Sequence, residues 1–274
     1  MHGRVGEDLS GSCGKMRLLI LTIRTPGNIY LANRLSKEFY VAGMVILKEE
    51  AKSKKQVMKF WARRVKRYGF LKALNRYLYL KTRRLNEASK SVEKAFFWAD
   101  KEVPRYEFQT DVLETTEINS DEVASFIKAR SPDVIAVCGS KVIKPEIFRL
   151  ALKGTINIHC GITPDYRSAH PLEWALYNRD FGKIGVTAHF VDEGVDTGDI
   201  IYQKIVKVEK GDSVSSLYAK SIVSGADLMI RAIRELEKGG LKGHAQPKGI
   251  GRHFLAFEYG YLQQRRVNHI LRKA

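Results

Sequence analysis

Apolar and polar positions along the chain follow two periods. From Met16 the run Arg17-Leu-Leu-Ile-Leu-Thr-Ile23 is apolar almost throughout and closes on Thr25-Pro-Gly27, as in a strand buried on both faces and its turn. The spacing predicts a helix to about Lys37 and a second strand over Tyr40 to Leu47. A strand is expected near Arg105 to Phe108 and a helix from Ser120 to Arg130. An apolar strand follows at Asp133 to Val137, then a helix after Pro145 and a strand at Thr155 to His159. A helix from Pro171 to Asn178, strands at Ile184 to Val191 and Ile200 to Val208, and a long helix from Ser213 to Glu237 complete the pattern. Strands alternating with helices predict an α/β domain with a mainly parallel sheet covered on both faces.

The segment between the second and third strands differs. Val57, Trp61, Val65 and Tyr68 recur at helical spacing, as do Leu71, Leu74 and Leu78 after Gly69, with Lys59, Arg63, Lys66 and Arg67 on other faces. Two amphipathic helices joined near Gly69 are expected, with a third from about Val92 to Asp100. Residues 1–15 show no periodicity and read as a disordered leader, 16–240 as one domain with a helical insertion at about 50–100, and 241–274 as a short appendage.

Charge changes the picture at one place. The chain of 274 residues carries a net +17. Fourteen Lys and Arg against a single acid, Glu87, put +13 of it between Lys52 and Lys90. That segment predicts an anionic partner, namely a nucleotide, RNA or a membrane surface. Phe60, Trp61, Tyr68 and Phe70 lie among the cations as in interfacial helices; an ordinary surface insertion, with Trp61 packed inward, is the plainer reading and the slightly favoured one. No apolar run of spanning length is present, and Cys13, Cys138 and Cys160 show no metal or disulfide spacing, so no metal site is expected. A cytoplasmic protein, peripheral to a membrane if the interfacial reading holds, follows as the expectation.

In an open parallel sheet reactive groups gather at the carboxyl ends of strands. Asn157 and His159 hold such a position and alternate with Ile156 and Ile158, so amide and imidazole share a face. Side by side they can hold a carbonyl oxygen as it becomes an oxyanion. Asp196, in Gly194-Val-Asp-Thr-Gly198, supplies a carboxylate that favours the cationic imidazole. Taken singly, each has a plainer structural reading. His170, His189 and His244 are read as structural, and alternation turns Cys160 away from the shared face.

The ordered set Ile156-Asn-Ile-His159, Pro164-Asp-Tyr-Arg167, Gly185-Val-Thr-Ala-His-Phe-Val191 and Asp196-Thr-Gly-Asp-Ile-Ile201 with Gln203 closely resembles the formyltransferase family. That family includes glycinamide ribonucleotide, methionyl-tRNA and sugar N-formyltransferases. The resemblance is strong from about Asp133 to Ile205, weaker from Met16 to Leu47 and absent in the basic insertion. It implies a Rossmann-like formyltransferase fold and transfer of a formyl group from 10-formyltetrahydrofolate to a primary amine. It also implies a catalytic trio of Asn157, His159 and Asp196. Loops Ser140-Lys141-Val142-Ile143 and Val191-Asp192-Glu193-Gly194-Val195 would line the pterin pocket.

The sequence departs from the family pattern in His159-Cys-Gly-Ile-Thr-Pro164 and at Ser168, positions that bear on the acceptor. The short Thr25-Pro-Gly-Asn28 loop weakens a phosphoribosyl acceptor, and the stretch after the long helix is too short for the tRNA enzymes' second domain. A small or medium amine such as a nucleotide-linked amino sugar remains by elimination. The alternatives are a formyltetrahydrofolate hydrolase and a non-catalytic module of this fold that binds RNA or membrane through its basic helices.

Overall fold

The computed structural model describes residues 16–51, 53–85, 92, 96–97, 104–247 and 249–274. The expected leader lies outside these, and so does most of the helix expected from Val92 to Asp100.

Among the described residues a seven-stranded sheet forms the centre. β1 (Arg17–Thr22) leads to α1 (Pro26–Ser36) and β2 (Tyr40–Leu47), and the basic hairpin of α2 (Lys54–Tyr68) and α3 (Phe70–Leu85) follows. Then come β3 (Val112–Thr115), α4 (Asp121–Lys128), β4 (Val134–Cys138), α5 (Pro145–Phe148), β5 (Gly154–His159) and the short β6 (Tyr166–Ser168). The chain continues through α6 (Pro171–Tyr177), β7 (Gly185–Phe190), β8 (Ile200–Ile205), α7 (Val214–Glu237), β9 (Arg252–Phe254) and α8 (Tyr261–Leu271). The order across the sheet is β3-β2-β1-β4-β5-β7-β8. Pairings from β3 to β5 are parallel, and β7 and β8 are antiparallel, so the mainly parallel α/β expectation holds.

Period-two alternation sorts the strand side chains onto two apolar layers. Leu18, Ile20, Met44, Ile46, Val134 and Ala136 pack under α1 and α7, whereas Leu19, Leu21, Val45, Leu47, Ile135 and Val137 pack against α4 and α5. The helix starts are read directly from sequence. Thr25 caps α1 ahead of Pro26, accepting from the Asn28 N–H at 3.3 Å, and Ser120 and Ser213 cap α4 and α7.

The expected strand at Arg105 to Phe108 is a correction: the third strand is β3, several residues later. The reason is a side-chain clamp. Asn33 on α1 donates to the Arg105 carbonyl at 3.0 Å and accepts from the Glu107 N–H at 2.9 Å, satisfying backbone groups that a ladder would otherwise take.

The basic segment forms the expected two helices. Ser53 and Gln56 build a reciprocal cap on α2, and Gly69 joins the helices at φ +85°, a conformation that favours glycine. The inward stripe of α2 is only partly covered. Tyr68 stacks on Phe257 at 4.7 Å and Trp61 is half-buried against Tyr77 and Phe257, but Val57 and Val65 stay exposed. Trp61 is thus not a core residue, which corrects the packing expectation. α3 is anchored more firmly: Ala73 and Tyr79 are buried, and Arg76 donates to the Tyr259 carbonyl at 2.7 Å.

The C-terminal stretch is built into the body. β9 pairs in parallel with β6, Phe254 stacks on Trp174 and Tyr166, and Val267 and Leu271 of α8 share an apolar cluster with α3 and α6.

Candidate active site

β5 ends where the sheet changes from parallel to antiparallel neighbours, and its carboxyl end opens into a cavity of about 510 Å³. Ile156 and Ile158 are buried on the α7 side; a Cβ on Gly225 of α7 would come within 2.6 Å of the Ile158 side chain, so helix and strand are in close contact there. That contact fixes the strand's facing. Asn157 and His159 are turned to the cavity, Asn157 half-buried and His159 only 8% exposed.

Asp196 reaches the same place from the loop after β7. It sits at φ +53°, a backbone setting uncommon for a residue with a side chain. Its Oδ2 lies 3.5 Å from His159 Nδ1, and its Oδ1 lies 3.5 Å from Asn157 Nδ2. The three residues singled out in the sequence therefore converge.

A fourth residue, His189, which from sequence alone reads as structural, joins them. The β5–β7 register sets His189 directly opposite Asn157, and His189 Nε2 is 3.1 Å from Asn157 Nδ2 and 3.5 Å from Asp196 Oδ1. His189 Nδ1 donates to the Phe190 carbonyl at 2.7 Å, so in the neutral ring Nε2 is the acceptor for the Asn157 amide. This bond settles which way the Asn157 carboxamide is turned. Two sequence signals point to it: His189 stands two residues before the Val191 loop and lies within the Gly185–Val191 motif.

The surroundings hold the imidazole and the carboxylate in place. His159 Nε2 donates to the Tyr166 carbonyl at 2.9 Å, which leaves Nδ1 for Asp196. Thr187 Oγ1 donates to the Gly161 carbonyl at 2.7 Å, and Gln203 donates to both the Thr163 carbonyl and Thr187, bracing the loop after His159. Gln246, from the C-terminal stretch, donates to the Asp196 carbonyl at 2.9 Å and to the Gly198 carbonyl at 2.7 Å. Asp192 accepts from the Gly194 N–H and the Thr197 hydroxyl, closing that loop on itself.

The expected pterin loops mostly face this cavity. Ser140, Lys141, Val142 and Ile143 line one wall, and Val191, Asp192, Gly194 and Val195 line the other with Asp196. Glu193 does not: its carboxylate is turned outward to Arg149 at 2.7 Å. Lys141 lines the rim with its ammonium committed to the Thr116 carbonyl. Burial pushes the Cys138 thiol up to about 12 and raises the Cys160 thiol well above its ordinary range, so neither is a thiolate nucleophile at neutral pH. Among the described residues no cluster of His, Cys, Asp and Glu could hold a metal ion, and no helix is long and apolar enough to cross a membrane.

A second cavity of about 620 Å³ adjoins the first, the two sharing Cys160, Pro171 and Tyr218 in their walls. Its far side is made by Tyr79, Thr82 and Arg83 of α3 and by Tyr261, Gln264, Arg265 and Asn268 of α8. His170 and Glu173 line it too. Arg76 donates to His170 Nε2 at 3.3 Å, so His170 Nδ1 donates to Glu173 at 3.0 Å. Burial works against the Glu173 carboxylate, yet His170 holds its pKa below the usual value.

Comparison with known proteins supplies the remaining observations. A family model described as "Formyl transferase" matches residues 84–233, more than half of the chain. Methionyl-tRNA formyltransferase from Halothermothrix orenii is 40% identical over 131 residues, covering 47% of this chain and 40% of that protein. The enzyme of that name from Desulfotalea psychrophila is 35% identical over 136 residues, 49% of this chain and 42% of that protein. The chain thus spans well under half the length of these curated relatives. In three dimensions it resembles glycinamide ribonucleotide transformylase 1 from Symbiobacterium toebii, with TM-score 0.56 and 18% identity over 89% of this chain and all of that one. It likewise resembles a sugar N-formyltransferase from a Shewanella species, with TM-score 0.55 and 13% identity over 94% of this chain and 87% of that one. At such identities the likeness is one of fold.

Proposed function

The chain belongs to the formyltransferase family, and from that premise we propose that it transfers a formyl group from 10-formyltetrahydrofolate to a primary amine of a small or medium acceptor. The observation that carries this reading is the convergence of Asn157, His159 and Asp196 at one end of a cavity walled by the Ser140 and Val191 loops.

The cavity suits a reduced folate. Its volume is in the range of small-ligand sites. Two loops, Ser140–Ile143 and the one after β7, form opposite walls, and the Ser140 hydroxyl is buried with no hydrogen-bond partner in the protein, a group a pterin edge could satisfy. The Ser140–Ile143 segment and Val191, Asp192, Gly194 and Val195 would hold the folate, with Glu193 turned away to Arg149. When bound, the folate supplies the formyl carbon.

The protein's part is positioning and charge. The Asn157 amide, turned by His189, donates toward the formyl oxygen as negative charge grows on it. His159 is tied at Nε2 to the Tyr166 carbonyl, so its help comes from the Nδ1 end, where the 3.5 Å approach to Asp196 is the looser of its two contacts. Asp196 orients that imidazole and, through water, takes the proton the attacking amine gives up and returns one to the donor nitrogen as its bond to the formyl carbon breaks. The acceptor enters from the second cavity, whose size fits a sugar-like unit and whose walls include Arg83 and Arg265. A nucleotide-linked amino sugar meets those features. In this reading residues 16–240 are the catalytic domain and the stretch from 241 braces it. The cluster of cations at 52–90 supports an anionic partner.

Methionyl-tRNA as acceptor is the second reading, favoured by the names of the curated relatives. One assay separates the two. The protein and formyl donor are incubated with a panel of nucleotide-linked amino sugars and, in parallel, with methionyl-tRNA, and formylated product is followed by mass while folate binding is read as a rise in Tm. Product from the sugars supports the proposal, and product from tRNA alone replaces the acceptor. No product and no folate-induced shift would sink the enzyme reading.

A further inference from the structure

We propose that the α2–α3 hairpin is a membrane-docking element that sets its Phe70–Leu71 tip into an anionic lipid surface. Three observations carry this. The tip is apolar and uncovered: Phe70 and Leu71, directly after the Gly69 turn, are 65% and 79% exposed. Large side chains left in water at that density mark an interaction surface.

The charge around them is of one sign. No Asp or Glu occurs from Lys54 to Leu85, whereas twelve Lys and Arg do. Lys66, Arg67 and Lys72 flank the tip, are exposed, and belong to no ion pair among the described residues. Among the described residues no carboxylate neutralises them, so the tip presents net positive charge to an anionic surface.

The hairpin is also held firmly from behind. Ala73 and Tyr79 are buried, Arg76 is bonded to the Tyr259 carbonyl, and Asn75 bonds Gln263 and the Leu262 N–H of α8. The outward face is thus presented in a fixed orientation. Leu262, beside Asn75 and 64% exposed, adds to the uncovered apolar surface.

Lipid is favoured over nucleic acid because of which residues are exposed. Phosphate backbones reward cations, and bases reward stacking aromatics. Leu71 gains from neither, but it gains from the acyl boundary, where the cations flanking it meet anionic headgroups. α3 also turns Tyr79, Thr82 and Arg83 into the cavity beside the trio, so the docking face and the acceptor cavity share one helix.

The test uses the full chain with vesicles of phosphatidylcholine alone or mixed with phosphatidylglycerol, at about 150 mM salt, where casual attraction is screened. Co-sedimentation with the anionic vesicles and not with the neutral ones is expected. Phe70→Glu with Leu71→Glu, both at exposed sites, should keep the native circular dichroism and lower vesicle affinity by about tenfold or more. Failure of the wild type to bind anionic vesicles overturns the proposal. Wild-type binding by the Phe70→Glu, Leu71→Glu variant also overturns it, since charge alone would then be acting. Displacement from vesicles by stoichiometric tRNA, with RNA affinity unchanged in that variant, would assign the surface to nucleic acid instead.

Discussion

Gln246 holds Asp196 by its backbone: its side-chain amide donates to the Asp196 carbonyl at 2.9 Å while also holding the Gly198 carbonyl at 2.7 Å. Asp196 stands at positive φ, a setting that persists only when neighbours over-determine it. Gln246→Ala is expected to leave the fold intact and lower kcat by about tenfold, because the carboxylate would lose its fixed approach to His159. Steady-state kinetics with a verified acceptor, alongside Tm, checks this; a fall in KM-related terms alone would show that Gln246 serves substrate binding instead.

The trio itself gives a larger effect. Asn157→Ala, His159→Ala or Asp196→Ala should each reduce turnover by about two orders of magnitude or more, the scale of losing an oxyanion donor or its proton partner. His189→Ala is expected to act through Asn157, with a smaller loss of about tenfold, since it releases the amide without removing it. Single-turnover rates measured for the four variants would rank them, and near-native turnover in any trio variant would remove that residue from its role.

Trp61 is half-buried against Tyr77 and Phe257, with exposed valines on either side of it along α2. Trp61→Ala should therefore cost about 1–2 kcal/mol, well short of the ~3–5 kcal/mol typical of emptying a filled core position. Denaturant unfolding of wild type and variant gives the difference directly.

Asp212 provides the pH dependence. Burial acts to raise its pKa, but the Glu209 N–H, the Lys220 ammonium and the Ser216 hydroxyl outweigh that and hold it below the usual value. A carboxylate depressed in the folded state contributes stability that is fully present above its unfolded pKa of about 3.9 and is lost as pH falls through the folded value. Asp212→Asn should thus narrow the difference in Tm between pH 6 and about pH 3 relative to wild type. Equal acid sensitivity in both proteins would show that other carboxylates carry the effect.

Much of this architecture follows from local rules. The apolar runs of β1 and β4, the Ser and Thr caps, and the Pro and Gly punctuation place most helices and strands because each depends on neighbours in sequence. Alternation along Ile156-Asn-Ile-His159 placed Asn157 and His159 on one face for the same reason. His189 escaped that reading because its partnership with Asn157 depends on the β5–β7 register, and a register is a long-range choice made by whole strands. Gln246 escaped it because 50 residues of chain separate it from Asp196. Asn33 moved the third strand by capturing backbone groups across a similar distance. The sequence by itself determined most of the elements, the charge of the hairpin and the shared face of Asn157 and His159; tertiary structure alone decided which polar groups meet, because hydrogen bonds across the fold are set by packing and not by periodicity.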